Sequence, residues 1–442
     1  MTEARGLVEL CAESGTKFIL ALFVDLNGKP CAKLVPVEAI DQLVEDGAGF
    51  AGYAVGAIGQ TPKDPDLIAV PDPSSFTPIP FVKEGLALVH CDPHVEGKPW
   101  PFAPRVILKS ILAKAGEAGF SAYAGAEVEY FLLKRLADGT LVTADDTDDA
   151  DQPCYDARGV TSMFEHLAAI SQAMNTLGWG NYANDHEDGN GQFEQNFTYA
   201  DALTTADRVI TLRYLLSVMA KERGMIATFM PKPFANRTGS GLHFHLSLRD
   251  TTGETALFPR GDAEGDTVGL GLSETAYSFV AGILEHAAAL QAVIAPTVNS
   301  YKRTGAVASS ASGATWAPRL PTYGGNDRTH YVRIPDTQRI ELRGGDGAAN
   351  PYLAIAAAVG AGLAGIEQGL ALGPIGTGPE TPFPATLAHA VEAFEADEVV
   401  TATLDSAGPG VADYFADLKK KEFYAYHASV AQWEIDRYLT AF

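Results

Sequence analysis

Residues 124–133 read AGAEVEYFLL, a run in which small and apolar positions alternate with two carboxylates. On an extended strand successive side chains leave opposite faces, so Glu127 and Glu129 share one face while Ala126, Val128 and Tyr130 share the other. Alone, such a pair more often marks a solvated sheet face than a site.

Three further segments repeat the pattern. SGLHFHLSL, residues 240–248, puts His243, His245 and Ser247 opposite Leu242, Phe244 and Leu246; taken singly it also fits packing or surface histidines. RIELR, residues 339–343, sets Glu341 between Arg339 and Arg343, as a solvated salt-bridge ladder also does. In DHEDGNGQFE, residues 185–194, Glu187 and Glu194 flank Gly189 and Gly191, so a glycine turn brings both carboxylates toward one point, although a plain polar hairpin reads the same.

Together these segments predict a sheet whose polar face lines a shared cavity. Five glutamates and a histidine converging there form an oxygen-rich cage, suited to more than one hard divalent ion, Mg2+ or Mn2+, rather than zinc or copper. Arginines at 303, 328, 333, 339 and 343 add planar donors for carboxylate and phosphate groups. Metal ions with arginines are the equipment of phosphoryl transfer.

The rest of the chain sets the frame. At 442 residues and 46% hydrophobic it fills sizeable cores, and a formal charge of −23 argues against a nucleic-acid surface. Four cysteines without a CxxC spacing exclude a disulfide framework or zinc ribbon and fit a reducing cytoplasm. MTEARGLVELCAESG lacks a basic start before an apolar core, and the apolar run Tyr352 to Ile366 is too short for a bilayer, so no membrane role is expected. The sequons at Asn196 and Asn236 are then chance matches.

Short apolar runs from Lys17 to Cys91 (FILALFV, CAKLVPV, GLALVHC) predict a small α+β unit. KPWPFAPR, residues 98–105, closes it and opens a helix near Val106, which divides the chain into 1–99 and 100–442. Long helices are expected over 160–178, 201–224, 268–292 and 350–369, with another from about Glu422. The acidic run TADDTDDADQ, residues 143–152, reads as a solvated loop. A G-x-G-x-x-G match at Gly360, Gly362 and Gly365 lies in an alanine-rich helix and reads as helix packing rather than a dinucleotide site; no Walker motif occurs.

In order, AGAEVEYFLL, NDHEDGNGQFEQNF, ATFMPKPF, GSGLHFHLSL, PTVNSYKR, VRIP and RIELRGGDGAANPYLA resemble the catalytic domain of glutamine synthetases over about residues 100–370, with an N-terminal echo in EDGAGFAG. The resemblance implies an α+β protein. Its small N-terminal domain would be a β-grasp, and its larger catalytic domain would hold a polar-faced antiparallel sheet among helices. The chains would form a homo-oligomer, a dodecamer of two stacked hexamers with active sites between neighbouring subunits.

The resemblance also implies ATP as nucleotide. By motif, Glu129, Glu187 and Glu194 would hold one metal and Glu127, His243 and Glu341 a second. His245, Ser247 and Arg339 would contact the nucleotide, Gly239, Arg303 and Arg343 would position glutamate, and Arg328 and Arg333 would face the transferred phosphate. Asp46 matches the acid that takes a proton from ammonium across the subunit interface. The implied reaction joins the γ-carboxylate of L-glutamate to an amine or ammonia through a γ-glutamyl phosphate.

Departures from the family pattern qualify that reading. TGAVASSASGATWAP, residues 304–318, has no glutamate where ammonia-using members carry one in their flap; with NDHEDGNGQFE and SGATWAP this makes the chain resemble the branch that includes γ-glutamylmethylamide synthetases. Thr238 stands where many members have asparagine, and no tyrosine occurs between Gly369 and Val411, which speaks against enteric-type adenylylation. A small alkylamine is therefore the expected acceptor. Ordinary glutamine synthetase, a non-catalytic relative and a two-carboxylate hydrolase are the alternatives.

Overall fold

A computed structural model of the chain describes residues 6–261, 265–304, 317–379 and 382–442. The first sheet is built from β1 (Phe18–Val24), β2 (Pro30–Pro36), β3 (Ala48–Phe50), β4 (Leu67–Pro71), β5 (Thr77–Pro78), β6 (Leu86–Val95) and β7 (Lys98–Pro99). Its order is β2-β1-β6-β4-β3, with β5 and β7 also on β6; β1 and β2 form an antiparallel hairpin and β1 runs parallel to β6. The hairpin turns where Asp25 accepts the backbone N–H groups of Asn27 and Lys29 at 3.0 and 2.9 Å, with Gly28 at a φ of +79°.

Strand β1 is apolar on both faces, and both are used. Ile19, Ala21 and Phe23 pack with Leu7, Cys11, Ile40 and Leu43, whereas Leu22 and Val24 join the main core of the molecule. The small unit therefore shares apolar packing with the large one. Polar ties add to this: Asn350 donates to the carbonyls of Asp25 and Leu26, and Lys419 donates to Asn27 at 2.8 Å. At the end of KPWPFAPR the buried Arg105 guanidinium reaches Asp72, Asp92 and Asp207 at 2.7–3.0 Å, joining both units by one cation.

The second sheet comprises β8 (Ser121–Arg135), β9 (Leu141–Thr143), β10 (Asn181–His186), β11 (Gln192–Phe197), β12 (Ala200–Asp201), β13 (Ile226–Thr228), β14 (Leu242–Arg249), β15 (Tyr323–Gly324), β16 (Val332–Arg333) and β17 (Ile340–Leu342). The order β10-β11-β8-β14-β17-β16-β15 is antiparallel except for the last pair. Ala126, Val128 and Tyr130 of β8 face the core, against helices that include Pro104–Glu117 and Ala202–Glu222. This is the α+β architecture expected, with a polar-faced, largely antiparallel sheet among helices.

Helix Pro351–Glu367 opens on an Asn350 cap and packs against Glu274–Glu285. A Cβ on Gly362 would lie 2.2 Å from the Phe279 ring, and one on Gly365 2.2 Å from the Ser278 carbonyl, so the glycine motif is a helix-packing device. Among the described residues no single helix is long and apolar enough to cross a membrane.

Three expectations need correction. The 268–292 stretch is two helices, Glu274–Glu285 and Ala287–Ile294, bent by 75° at His286. The helix placed from Glu422 starts at Val411, and its buried Lys419 breaks the apolar period that would have announced it; Gln432–Tyr438 follows separately. The 143–152 run is not wholly solvated, because the Asp148 carboxylate is buried against the hairpin that carries Glu187.

Candidate active site

Sheet register gathers the charged residues. Asp185 of β10 pairs with Glu194 of β11, which pairs with Glu129 of β8; one rung on, Glu127 pairs with His243, and His245 pairs with Glu341, which pairs with Arg333. A slip by one residue in any strand would turn its members into the apolar core, so the buried face fixes the register.

The stripe has two electrostatic characters. At one end, ligand atoms of Asp185, Glu187 and Glu194 lie within 4.8 Å of one another. Burial, joined by the neighbouring carboxylates, pushes Glu187 and Glu194 well above the ordinary carboxylate range and Asp185 up to about 6. At the other end Glu127 accepts from His243 (3.1 Å) and His245 (2.8 Å), and Glu341 accepts from Arg333 (2.6 Å) and from Arg343. Burial opposes ionisation there too, but the imidazole bonds outweigh it for Glu127, and His243 and Arg343 do so for Glu341. Crowded carboxylates, half-buried to buried and without a cationic partner among the described residues, fit divalent ions at the first end.

Supporting contacts fix these groups. The Gln192 side chain donates to Glu129 at 2.9 Å and to the Gly239 carbonyl at 3.0 Å, and accepts from Gly189 at 3.0 Å and Thr238 at 2.8 Å. Glu129 also accepts the Gly241 N–H at 2.7 Å, and a Cβ on Gly241 would fall 2.6 Å from its other oxygen. His186 joins Asp148 at 2.8 Å and its own neighbour's carbonyl at Glu187 at 2.7 Å, while Asp148 also accepts from Asn190 at 3.1 Å and from the Gly191 N–H.

Three adjoining cavities meet this stripe. The largest, about 980 Å³, is lined by Glu127, Glu129, Glu187, Glu194 and His243 on one side and Arg328, Arg333 and Arg343 on another. A second, about 450 Å³, shares Glu127 and Tyr182 with it and adds His245, Ser247 and Arg339. A narrow third, about 40 Å³, lies among Glu129, Glu187, His243, Gly239 and Arg303. A Cβ on Gly239 would stand 2.4 Å from the Pro231 carbonyl and 2.8 Å from Arg303, so only glycine fits there.

The glutamine synthetase catalytic-domain family matches residues 101–438. Over 97% of its length the chain is 41% identical to a glutamine synthetase of Rhizobium leguminosarum bv. phaseoli, covering 98% of that protein. It is equally 41% identical to a glutamate–methylamine ligase of Methyloversatilis universalis, over 97% of this chain and 98% of that one. The chain belongs to the glutamine synthetase family. The solved structure described as a GmaS/ADP complex superposes with a TM-score of 0.90 at 45% identity, covering 98% of this chain and 99% of that one. As a glutamine synthetase family member the chain is an ATP-dependent ligase.

Within this family member, every site residue expected from sequence lines one of the three cavities except two: Asp46, which sits exposed at the end of helix Ile40–Asp46, and Glu341, which is fully buried behind them against His243, Arg333 and Arg343. The tight carboxylate group contains Asp185 where Glu129 was expected, and the tight group around Glu127 and Glu341 contains His245. His243 nevertheless lies 3.4 Å from Glu341 and 3.8 Å from Glu129, between the two ends. Sequence reasoning missed Asp148, Asp185, Gln192 and Gly241. Of these, Asp185 carried a signal, since it precedes Glu187 by two and so shares its face. The flap segment falls largely on 305–316, outside the described residues.

Proposed function

We propose that the chain joins the γ-carboxylate of L-glutamate to a small amine, methylamine in preference to ammonia, by way of a γ-glutamyl phosphate, releasing ADP and phosphate. The observation that carries the ligase geometry is the carboxylate–histidine stripe shared by three adjoining cavities, one for each reactant group. Support for the amine comes from the flap sequence without a glutamate and from relatives that include a glutamate–methylamine ligase.

In this reading His245, Ser247 and Arg339 hold ATP in the 450 Å³ cavity, and Gly239, Arg303 and Arg343 position glutamate. Glu129, Glu187 and Glu194 hold one Mg2+ or Mn2+, and Glu127, His243 and Glu341 another. Bound there, the ions neutralise charge on the phosphoryl group in transit. Arg328 and Arg333 offer donors to the same group, so the glutamate carboxylate attacks the γ-phosphorus in a field already arranged for the added charge. The amine then displaces phosphate, its proton taken by Asp46 of a neighbouring copy. We further infer a small β-grasp unit over 1–99, a catalytic unit over 100–442, a dodecameric assembly of stacked hexamers and a cytoplasmic setting.

The test is phosphate release by purified enzyme with ATP, Mg2+ or Mn2+ and glutamate, comparing ammonia, methylamine and ethylamine with mass detection of products. Higher kcat/KM with an alkylamine is expected; dominance of ammonia would assign ordinary glutamine synthesis. Glu129→Ala or His243→Ala should abolish phosphate release without altering the assembly on sizing, and near-normal turnover would refute the metal assignment.

A further inference from the structure

Asp185 of β10 is a carboxylate at the first end of the stripe that the two-ion arrangement leaves without a role. It is half-buried and lines the 980 Å³ cavity. A register shift between Asn181 and Ala183 decides its place. Continued from the Asn181–Phe197 pair without that shift, the ladder would set Asn184 opposite Glu194; with it, Asp185 stands there instead. Its neighbours in the chain are anchored: Asn184 accepts from the Gln195 side chain at 2.7 Å, and the His186 ring joins Asp148 at 2.8 Å. The side chain between them is therefore presented by a backbone fixed on both sides.

Carboxylates from three adjacent strands form one row here, Asp185 opposite Glu194 and Glu194 opposite Glu129. Like charges directly opposite on neighbouring strands destabilise a sheet, and this row holds two such pairs. Two members have donors. Glu129 gives Oε2 to Gln192 and to the Gly241 N–H at 2.9 and 2.7 Å, and its Oε1 lies 3.8 Å from His243. Glu194 takes the Asn196 amide on Oε1 at 2.8 Å. Asp185 has neither kind of relief: burial and the charges of Glu127 and Glu129 weigh on it, and no donor or cation reaches it among the described residues. Arg333 and Arg343, across the cavity, are bonded to Glu341.

Distance separates Asp185 from a solvated neighbour of the site. Its ligand atoms group with those of Glu187 and Glu194 within 4.8 Å of one another. A hard divalent ion takes carboxylate oxygens at about 2.0–2.6 Å, so oxygens on opposite sides of one ion stand about 4–5 Å apart, and a single ion touches all three. Glu129 stays outside this group, tied by Gln192 and Gly241 between the two ends.

We propose that Asp185 is a direct ligand of the first ion, a fourth carboxylate beside Glu129, Glu187 and Glu194. It rests on the reading that Glu187 and Glu194 hold Mg2+ or Mn2+, and the test separates the two. Mn2+ titration of the full-length enzyme, followed by EPR without nucleotide or glutamate, compares the native chain with Asp185→Asn, Glu187→Gln and Glu194→Gln. Asp185→Asn should bind one Mn2+ per subunit about tenfold or more weaker and leave the second unchanged, since even groups that only support a ligand carry that much. Its melting midpoint without metal should not fall, because a like-charge pair is removed, while the rise on adding Mn2+ should shrink. Contact itself is read from Asp185→Cys with Cd2+, a soft ion that bonds thiolate. A charge-transfer absorption band should appear there that Asp185→Ser and the native enzyme, whose Cys154 lines the same cavity, do not show. Native-like Mn2+ affinity in Asp185→Asn, with both glutamate variants weakened, would overturn the proposal and leave the two-ion reading standing; native-like affinity in all three would overturn both. Weakened Mn2+ binding in Asp185→Asn without a Cd2+ band in Asp185→Cys would make Asp185 a charge beside the ion and overturn direct ligation.

Discussion

Gln192 is a residue with no chemistry of its own, yet its amide holds Glu129, the Gly239 carbonyl, Thr238 and the Gly189 turn in one arrangement. Replacing it by alanine leaves the buried Glu129 without one of its two donors to Oε2 and frees the Gly239 segment. A loss of about 1.5–3 kcal/mol is the usual scale for a bond to a charged group, so kcat/KM for glutamate in Gln192→Ala should fall about tenfold or more. Steady-state kinetics at saturating ATP measure it, and an unchanged value would remove Gln192 from the site. Asp148 acts at one further remove, through His186 and Gly191 on the Glu187 hairpin. Partners of this kind typically carry about 10–100-fold in metal affinity, so Mn2+ titration of Asp148→Ala followed by EPR should show weaker binding on that scale. Binding as tight as in the native chain would mean that the hairpin needs no anchor.

At the scale of elements, strand alternation was the most legible feature. β8, β14 and β17 each place charged residues on one face because a pleated strand repeats every two residues and one face must be apolar. Pairing between strands was not legible: that Asp185 stands beside Glu194 depends on the register of their hairpin, and that the acidic loop sends Asp148 to His186, 38 residues on, depends on a tertiary contact. The short helices Leu387–Glu395 and Glu398–Leu404 were likewise missed, being only nine and seven residues long, the second with four β-branched residues. Helix–helix contact yields its own prediction. Gly362→Val pushes side-chain atoms into the Phe279 ring, and overpacking on that scale costs about 1–3 kcal/mol or more, so the denaturation midpoint should drop while the substrate KM values of the folded fraction stay put. An unchanged midpoint would show the contact to be loose.

Across the whole molecule, the two sheets are tied through shared apolar packing and through Arg105. Removing that guanidinium takes from Asp72, Asp92 and Asp207 the buried cation they share, although Lys109, Tyr352 and Ser74 still donate to them, and the expected cost for Arg105→Met is about 3–5 kcal/mol in urea unfolding. Burial pushes Asp72 up, but its bonds from Ser74 and Arg105 prevail and hold it below its ordinary value. A carboxyl with a lower folded than unfolded pKa stabilises fully above about pH 3.9, and loses that contribution as pH falls through the folded value. Between pH 5 and pH 3 the native chain should therefore lose more stability than Asp72→Asn; equal losses would contradict the pairing. The position of Asp46 is the complementary lesson: one chain leaves it exposed and away from the stripe, so the proton-accepting role proposed for it requires a neighbouring copy.

The central claim is that glutamate's own carboxylate attacks the γ-phosphate of ATP. Glutamate labelled with 18O in its γ-carboxylate, turned over with ATP, Mg2+ and methylamine, should deliver one labelled oxygen to the inorganic phosphate released, as read by mass spectrometry. Unlabelled phosphate accompanying amide formation would contradict the γ-glutamyl phosphate and, with it, this account of the site.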